Sequence, residues 1–475
     1  MLRYLIQTFG CQMNVHDSRR IEEVLYASGY EATDAPELAD LLLFNTCSVR
    51  EKADHKLRSA VGTFRELKER RRGLVVAVAG CMAQQRGEAL LDEIDLVDVV
   101  IGPDNIPELP ELIRHIRGGG PPIARTVFDL DAPSFLTAQV RADRPEVSAY
   151  VTVMKGCDER CTYCIVPYTR GGERYRAALD IVAEIKTLCA GGVREITLLG
   201  QTVNSWHEPG DVRGESRFAA LLERIASEVP ELLRLRYTSP HPRHVTPELI
   251  DAHARLSVLP PHVHLPVQSG SDRLLRLMVR RYRRQDYIER AQALQRARPS
   301  FTLSTDIIVG FPGETEADFA DTLSLVREVG FVSVFAFKYS PRPHTPALRL
   351  GDSVPEELKS ERLARLFELA DELQSRHLQS LVGATASVLV EGRSKSSSAR
   401  VSGRSERHEI VHIDAPPALD LCGRLISVRI SEAYKRSLIG IPIEPWADAG
   451  PPYPPAPPVT LDKPKTALRL PLMST

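Results

Sequence analysis

MKGCDERCTYCIVPYTR, residues 154–170, is the stretch from which the rest of the chain can be placed. Its cysteines, Cys157, Cys161 and Cys164, are separated by three residues and then by two. Thiolates are soft ligands that suit iron–sulfur clusters, and four of them saturate a [4Fe–4S] cluster. No fourth cysteine is close, so one iron would keep an open position, as a catalytic metal does. An open iron can bind a small molecule and pass it one electron. A zinc knuckle or buried free thiols are the alternatives. Residues 147–154 are rich in β-branched and aromatic side chains and read as a strand, so the cysteines leave its C-terminal end on a loop. Active sites of α/β barrels sit at that end.

This spacing resembles the radical S-adenosylmethionine (radical SAM) superfamily. The resemblance implies that the three cysteines hold a [4Fe–4S] cluster whose open iron chelates the methionine part of SAM. One-electron cleavage then gives a 5′-deoxyadenosyl radical. Tyr163 matches the aromatic residue common before the last cysteine, where it packs near the adenine.

The chain has 475 residues, room for about three domains. Its formal charge of −1 gives no nucleic-acid signal for the whole. Eight cysteines are too few for a disulfide scaffold in a chain this long. The N-terminus does not read as a secretory signal, and no 18-residue apolar stretch predicts a membrane span. A reducing cytoplasm, which keeps cysteines as thiols, is the expected location.

Residues 1–140 alternate strands and helices. Strands are expected at 2–8, 41–44, 74–79 and 97–101, with a long helix at 49–68. This implies a parallel sheet with covered faces. Three of the strands end in a turn holding one cysteine: Cys11 in GCQMN, Cys47 in NTCSVRE and Cys81 in GCMAQ. Parallel neighbours align their C-terminal ends along one edge, where open α/β sheets bind ligands. The three can therefore converge, although 36 and 34 residues separate them. Equally, they can be three small buried thiols at strand ends.

These motifs resemble the methylthiotransferase family, in which the N-terminal cysteines ligate a second, auxiliary [4Fe–4S] cluster. Cys11-Gln12-Met13-Asn14, then Asp17-Ser18, then residues 45–51 match the tRNA-modifying branch and not the branch acting on a ribosomal protein. The match extends over nearly the whole chain. It implies methylthiolation of N6-isopentenyladenosine at position 37 of the tRNA anticodon loop. SAM would serve as methyl donor and as radical source. An electron donor such as flavodoxin or ferredoxin, a sulfur source and a monomeric enzyme are also implied. Methylthiolation of threonylcarbamoyladenosine, or of an aspartate in a ribosomal protein, is the alternative.

Residues 145–378 follow a linker rich in proline, aspartate and alanine. They read as six strand–helix units, a partial (β/α)6 barrel with an open side for a macromolecular substrate. Gln201 and Asn204, in LLGQTVNSW, should lie at the mouth, where they can read a nucleobase edge or hold the methionine part of SAM. Arg280, Arg281, Arg283 and Arg284 around Tyr282 form the densest basic cluster. It reads as a solvated helix end or as a phosphate contact. His241, His244, His262 and His264 lie near strand ends and fit hydrogen bonding in a polar mouth. His344 stands where the family commonly has glycine. Cys189 and Cys422 lack cysteine partners and read as packed thiols.

Residues 379–446 have the short alternating strands of a small five-strand barrel and resemble a TRAM RNA-binding domain. Arg393, Lys395, Arg400, Arg404 and Arg407 give it local positive character. Residues 447–475 are proline-rich and read as a disordered tail.

Overall fold

The computed structural model describes residues 2–48, 52–129, 135–137, 146–211, 216–351, 353–394 and 397–444. The proline-rich tail, Lys395, most of the linker and the first residues of the helix expected at 49–68 lie outside them.

The N-terminal domain contains β1 (Leu2–Phe9), α1 (Gln12–Ala27), β2 (Tyr30–Ala32), β3 (Leu41–Thr46), α2 (Lys52–Gly62) and α3 (Arg65–Arg70). It continues with β4 (Val75–Gly80), α4 (Cys81–Arg86), α5 (Ala89–Glu93), β5 (Val99–Ile101), α6 (Leu109–Arg117) and β6 (Ile123–Arg125). The expected long helix is broken at Thr63-Phe64, between α2 and α3, where Phe64 packs against the sheet core. All six strands pair in parallel, in the order β2-β1-β3-β4-β5-β6. β2 and β6 are short edge strands that the apolar pattern did not announce. β3 and β4 are buried along their whole length, as central parallel strands should be.

The middle domain opens with β7 (Ser148–Thr152), β8 (Met154–Lys155), α7 (Val166–Arg170) and β9 (Arg174–Tyr175). Next come α8 (Ala178–Ala190), β10 (Glu195–Leu199), α9 (Phe218–Glu228), β11 (Arg234–Tyr237), α10 (Pro247–Arg255) and β12 (His262–His264). It ends with α11 (Asp272–Leu277), α12 (Arg284–Ala297), β13 (Thr302–Val309), α13 (Glu316–Val329), β14 (Ser333–Lys338) and α14 (Glu356–Ser380). Six of these strands form two parallel sheets of three, ordered β11-β10-β7 and β12-β13-β14. This is the expected partial barrel. Alternate residues such as Val151, Leu198, Leu235 and Val334 face the surrounding helices in one continuous core. β8 and β9 pair antiparallel and pinch the base of the cysteine loop.

Strands β15 (Thr385–Ser394), β16 (Ser397–Ser405), β17 (Ile410–Asp414), β18 (Leu425–Ala433) and β19 (Leu438–Pro442) close into a small barrel, ordered β15-β16-β17-β19-β18. It docks where β11 and β12 begin, away from the cysteine loop. Arg234 donates to the carbonyls of Ser387 and Arg404, each at 2.7 Å. Arg236 donates to that of Ser405 at 3.3 Å, and the rings of His262 and His408 stack.

Candidate iron–sulfur and substrate site

β1, β3 and β4 are neighbours, so the turns after them lie side by side. The motif residues flanking the cysteines tie these turns together. Asn14 Nδ2 donates to Asn45 Oδ1 at 3.1 Å and to the Thr46 carbonyl at 3.3 Å. Asn45 Nδ2 returns bonds to the Asn14 carbonyl and to Ser18 Oγ, at 2.8 and 2.9 Å. Gly80 supplies the close approach of the third turn. Its φ is +93°, and a Cβ there would meet Asn45 Oδ1 at 2.3 Å. A hydrogen bond with Cys47 lowers the Cys11 thiol to about 6, even against burial. Burial raises Cys81, with Arg170 pulling the other way. The three thiols therefore face one region, with Cys11 exposed and the other two buried. They do not close to single-ion distance, since the one single-ion set among the described residues is a different one. A cubane places each thiolate on a different iron, so a wider spacing fits a cluster.

The second set lies on the loop after β7. Cys157 N–H donates to the Gly171 carbonyl at 3.1 Å, and Thr162 N–H to that of Met278 at 3.1 Å. Gly156, at φ +80°, is required here because a Cβ would lie 1.9 Å from the Gly172 carbonyl oxygen. Cys157 Sγ lies 2.9 Å from Thr202 Oγ1, and Arg280 Nη1 lies 3.4 Å from Cys161 Sγ. Burial pushes Cys157 and Cys164 up to about 12. As bare thiols they stay protonated, and only a metal would displace those protons. Tyr163 packs against the buried cluster that contains Phe311 and Tyr339, with its hydroxyl 3.4 Å from Arg280. The donor set, its free thiols and its adjacent buried cation fit an iron–sulfur cluster.

The two sets meet through α7. Its last residue, Arg170, is buried, places Nε 3.3 Å from Cys81 Sγ and pairs with Asp17. Asp104 binds Lys155 and Arg174 at 3.0 and 2.6 Å across the same domain boundary.

Several expectations change. Asn204 is not a free reader at the mouth: its Nδ2 donates to the His241 carbonyl at 3.0 Å and its Oδ1 accepts from His241 N–H at 2.7 Å. Gln201 Oε1 accepts from Gly156 N–H, while its Nε2 is buried without a protein partner. The basic cluster is not one surface. Arg280 turns into the cysteine loop, and Arg284 donates to the Asp321 carbonyl at 2.6 Å. Arg281 and Arg283 remain exposed. Cys189 is packed, but Cys422 is exposed because its turn lies at the barrel surface. His344 takes a φ of +66° and sets its ring 5.9 Å from that of Tyr168.

Two of the histidines near strand ends form a cluster whose acidic partner sequence reading did not anticipate. Glu159, inside the cysteine loop, meets His241 and His244, their ligand atoms all within 4.8 Å. His244 Nε2 lies 3.2 Å from the carboxylate. Burial, reinforced by Arg280, keeps His241 neutral. Arg243 and Arg281 approach the carboxylate at 3.5 and 3.8 Å. With guanidinium groups already there, the set is a hydrogen-bonded brace, and its electrostatics oppose a further cation.

Residues 151–326 match the radical SAM superfamily, and residues 3–102 match an uncharacterized protein family, UPF0004. Among solved structures, the chain is similar to a radical SAM methyltransferase, TsrM, from Kitasatospora setae. That likeness has a TM-score of 0.52 and 16% identity, covering 73% of this chain and 75% of that one, and concerns the fold alone. The class is thus a radical SAM protein with an added N-terminal α/β domain and a C-terminal β-barrel. Curated relatives are closer. A tRNA-2-methylthio-N(6)-dimethylallyladenosine synthase of Sorangium cellulosum is 59% identical over 461 residues, 92% of this chain and 93% of the relative. One of Geobacter metallireducens is 46% identical over 435 residues, 92% and 97% of the two chains. The chain belongs to the tRNA-2-methylthio-N(6)-dimethylallyladenosine synthase family.

Proposed function

We propose that this protein is a radical SAM methylthiotransferase that adds a methylthio group to isopentenyladenosine in tRNA, at position 37 of the anticodon loop. The observation that carries this reading is the 59% identity extending across all three domains.

Cys157, Cys161 and Cys164 would hold one [4Fe–4S] cluster, and Cys11, Cys47 and Cys81 an auxiliary one. When bound, the first supplies an electron to SAM and the second supplies the sulfur. An unactivated aromatic C–H is beyond any side-chain base, which is why cofactor chemistry is required. The chain's own residues hold and shield. Arg280 donates to the Cys161 thiolate, and Thr202 bonds Cys157. Tyr163, Phe311 and Tyr339 exclude water beside the cysteine loop. Gln201 is assigned to the methionine part of SAM through its unpartnered Nε2. Asn204 braces the mouth. The C-terminal barrel is assigned to tRNA through exposed Arg429 and Arg436. Arg393 is engaged by carbonyls, Arg400 by Asp414, Arg404 by Glu391 and Arg407 by Glu409. A flavodoxin- or ferredoxin-type donor, a separate sulfur source, a monomeric state and a reducing cytoplasm complete the proposal. Among the described residues no helix is long and apolar enough to cross a membrane.

The test is anaerobic reconstitution with tRNA carrying isopentenyladenosine, read by nucleoside mass spectrometry. Wild type should hold about eight irons and each alanine triple variant about four. Replacing Cys157, Cys161 and Cys164 should stop formation of 5′-deoxyadenosine. Replacing Cys11, Cys47 and Cys81 should leave that cleavage and abolish the methylthio product. Product from the latter variant would overturn the auxiliary-site assignment. Product only on threonylcarbamoyladenosine or on a ribosomal protein would overturn the substrate.

A further inference from the structure

The interior of the partial barrel is mostly polar. Residues of β10, β11, β12 and β13 that alternate with the core-facing ones include Thr197, Arg236, His264, Ser304 and Asp306. His264 Nε2 lies 3.2 Å from Asp306. Strand β14 breaks this pattern. Val334 and Ala336 face the helices in the core, so Phe335 and Phe337 point inward. There they remain 51% and 41% exposed.

Two large apolar side chains left open in a polar chamber forfeit the burial that normally stabilises phenylalanine. Their surroundings define a wall. Phe335 lies opposite Asp306, and Phe337 opposite Ile308, in the pairing of β13 with β14. The His264 ring meets the Phe335 ring edge-on at 5.6 Å between centroids. Ile308 packs against the same buried cluster, with Phe311 and Tyr339, as Tyr163, which lies between Cys161 and Cys164, so the upper end of the wall lies toward the cysteine loop. β14 is also the end strand of its sheet, and the wall therefore lies at the open side of the barrel.

We propose that Phe335 and Phe337 form the apolar surface that receives the dimethylallyl group of the substrate adenosine and select for it. This rests on the tRNA reading above. A branched five-carbon alkenyl chain has no hydrogen-bonding atoms, so it gains only from apolar contact. The neighbouring polar residues offer it none. A threonylcarbamoyl group, carrying a carboxylate, would instead leave its charge against the phenyl rings and lose solvation. The wall thus separates the two adenosine modifications by chemistry.

The experiment is equilibrium competition between prenylated and unprenylated forms of one tRNA, on reconstituted full-length protein. Circular dichroism and iron content serve as checks of folding. Wild type should prefer the prenylated tRNA, and Phe335→Ala should lose about tenfold of that preference, the usual scale for a missing apolar contact. Phe335→Leu, which keeps apolar area, should retain most of it. Phe337→Ala should reduce it as well. An undiminished preference in both alanine variants would overturn the proposal. So would an equal loss of affinity for both tRNAs, which marks a general RNA contact or misfolding. Loss of the preference in Phe335→Leu would overturn the apolar reading, because the aromatic ring itself would then be the determinant. Failure of the underlying tRNA reading is distinguishable, since wild type would then form no methylthio product on prenylated tRNA.

Discussion

Asn45 is fully buried and exchanges hydrogen bonds with Asn14 and Ser18 across the turns that carry Cys11 and Cys47. Asn45→Ala removes both ends of that exchange. It should destabilise the N-terminal domain by about 2 kcal/mol, since buried donors and acceptors are left unpaired. Urea denaturation would measure it, and the auxiliary iron should fall in the same variant. Unchanged stability would mean the asparagines are incidental. A second consequence at this scale concerns acid. Burial raises the Glu409 carboxyl, but His377 and Arg407 more than offset it and leave it at about 2. A depressed carboxylate stabilises the fold above its unfolded value, near 4.5, and that contribution fades as pH falls toward 2. The shift corresponds to about 3 kcal/mol. Circular dichroism of iron-free protein should show Glu409→Gln less stable at pH 7, with a weaker pH dependence between 4.5 and 2. The cysteines themselves were legible in the sequence, one set by its spacing and the other by its position after strands. Arg280 was not. Four arginines around a tyrosine look alike in sequence, and only packing decides which one turns inward.

Among elements, the β8–β9 pinch and the loop it closes are the most sensitive to change. Gly156→Ala combines a left-handed φ with a contact of 1.9 Å to the Gly172 carbonyl oxygen, in the turn that leads into β9. The loop must shift, and strain of this kind costs about 1–3 kcal/mol. Iron in the variant should fall from about eight to about four per chain, with the loss confined to the barrel site. Full iron content would show that the loop tolerates displacement. The strands and helices of the partial barrel could be read from hydrophobic alternation because each strand end coincides with a motif. The short edge strands β2 and β6 were missed, since three residues carry no period. The break between α2 and α3 was missed for another reason. Phe64 leaves the helical path to reach the sheet core, a long-range demand that local propensity does not report.

At the scale of the whole molecule, the C-terminal barrel does more than extend the chain. Arg234 and Arg236 are buried and donate to its backbone carbonyls. Deleting residues 379–475 removes those carbonyl partners and leaves both guanidinium groups open to water beside Glu195, and should lower the melting temperature of the middle domain. Reductive SAM cleavage should fall along with tRNA affinity. Intact cleavage in the truncated protein would show that the docking is dispensable. The paired variant Arg429→Glu/Arg436→Glu separates the roles, and should weaken tRNA binding and flatten its salt dependence while cleavage persists. This docking was invisible in the sequence, because the contacts run from side chains to carbonyls 153 to 170 residues away and leave no pattern. The seated barrel also has a logistical consequence. It covers the ends where β11 and β12 begin, so approach is left to the cysteine-loop end and to the open side beside β14.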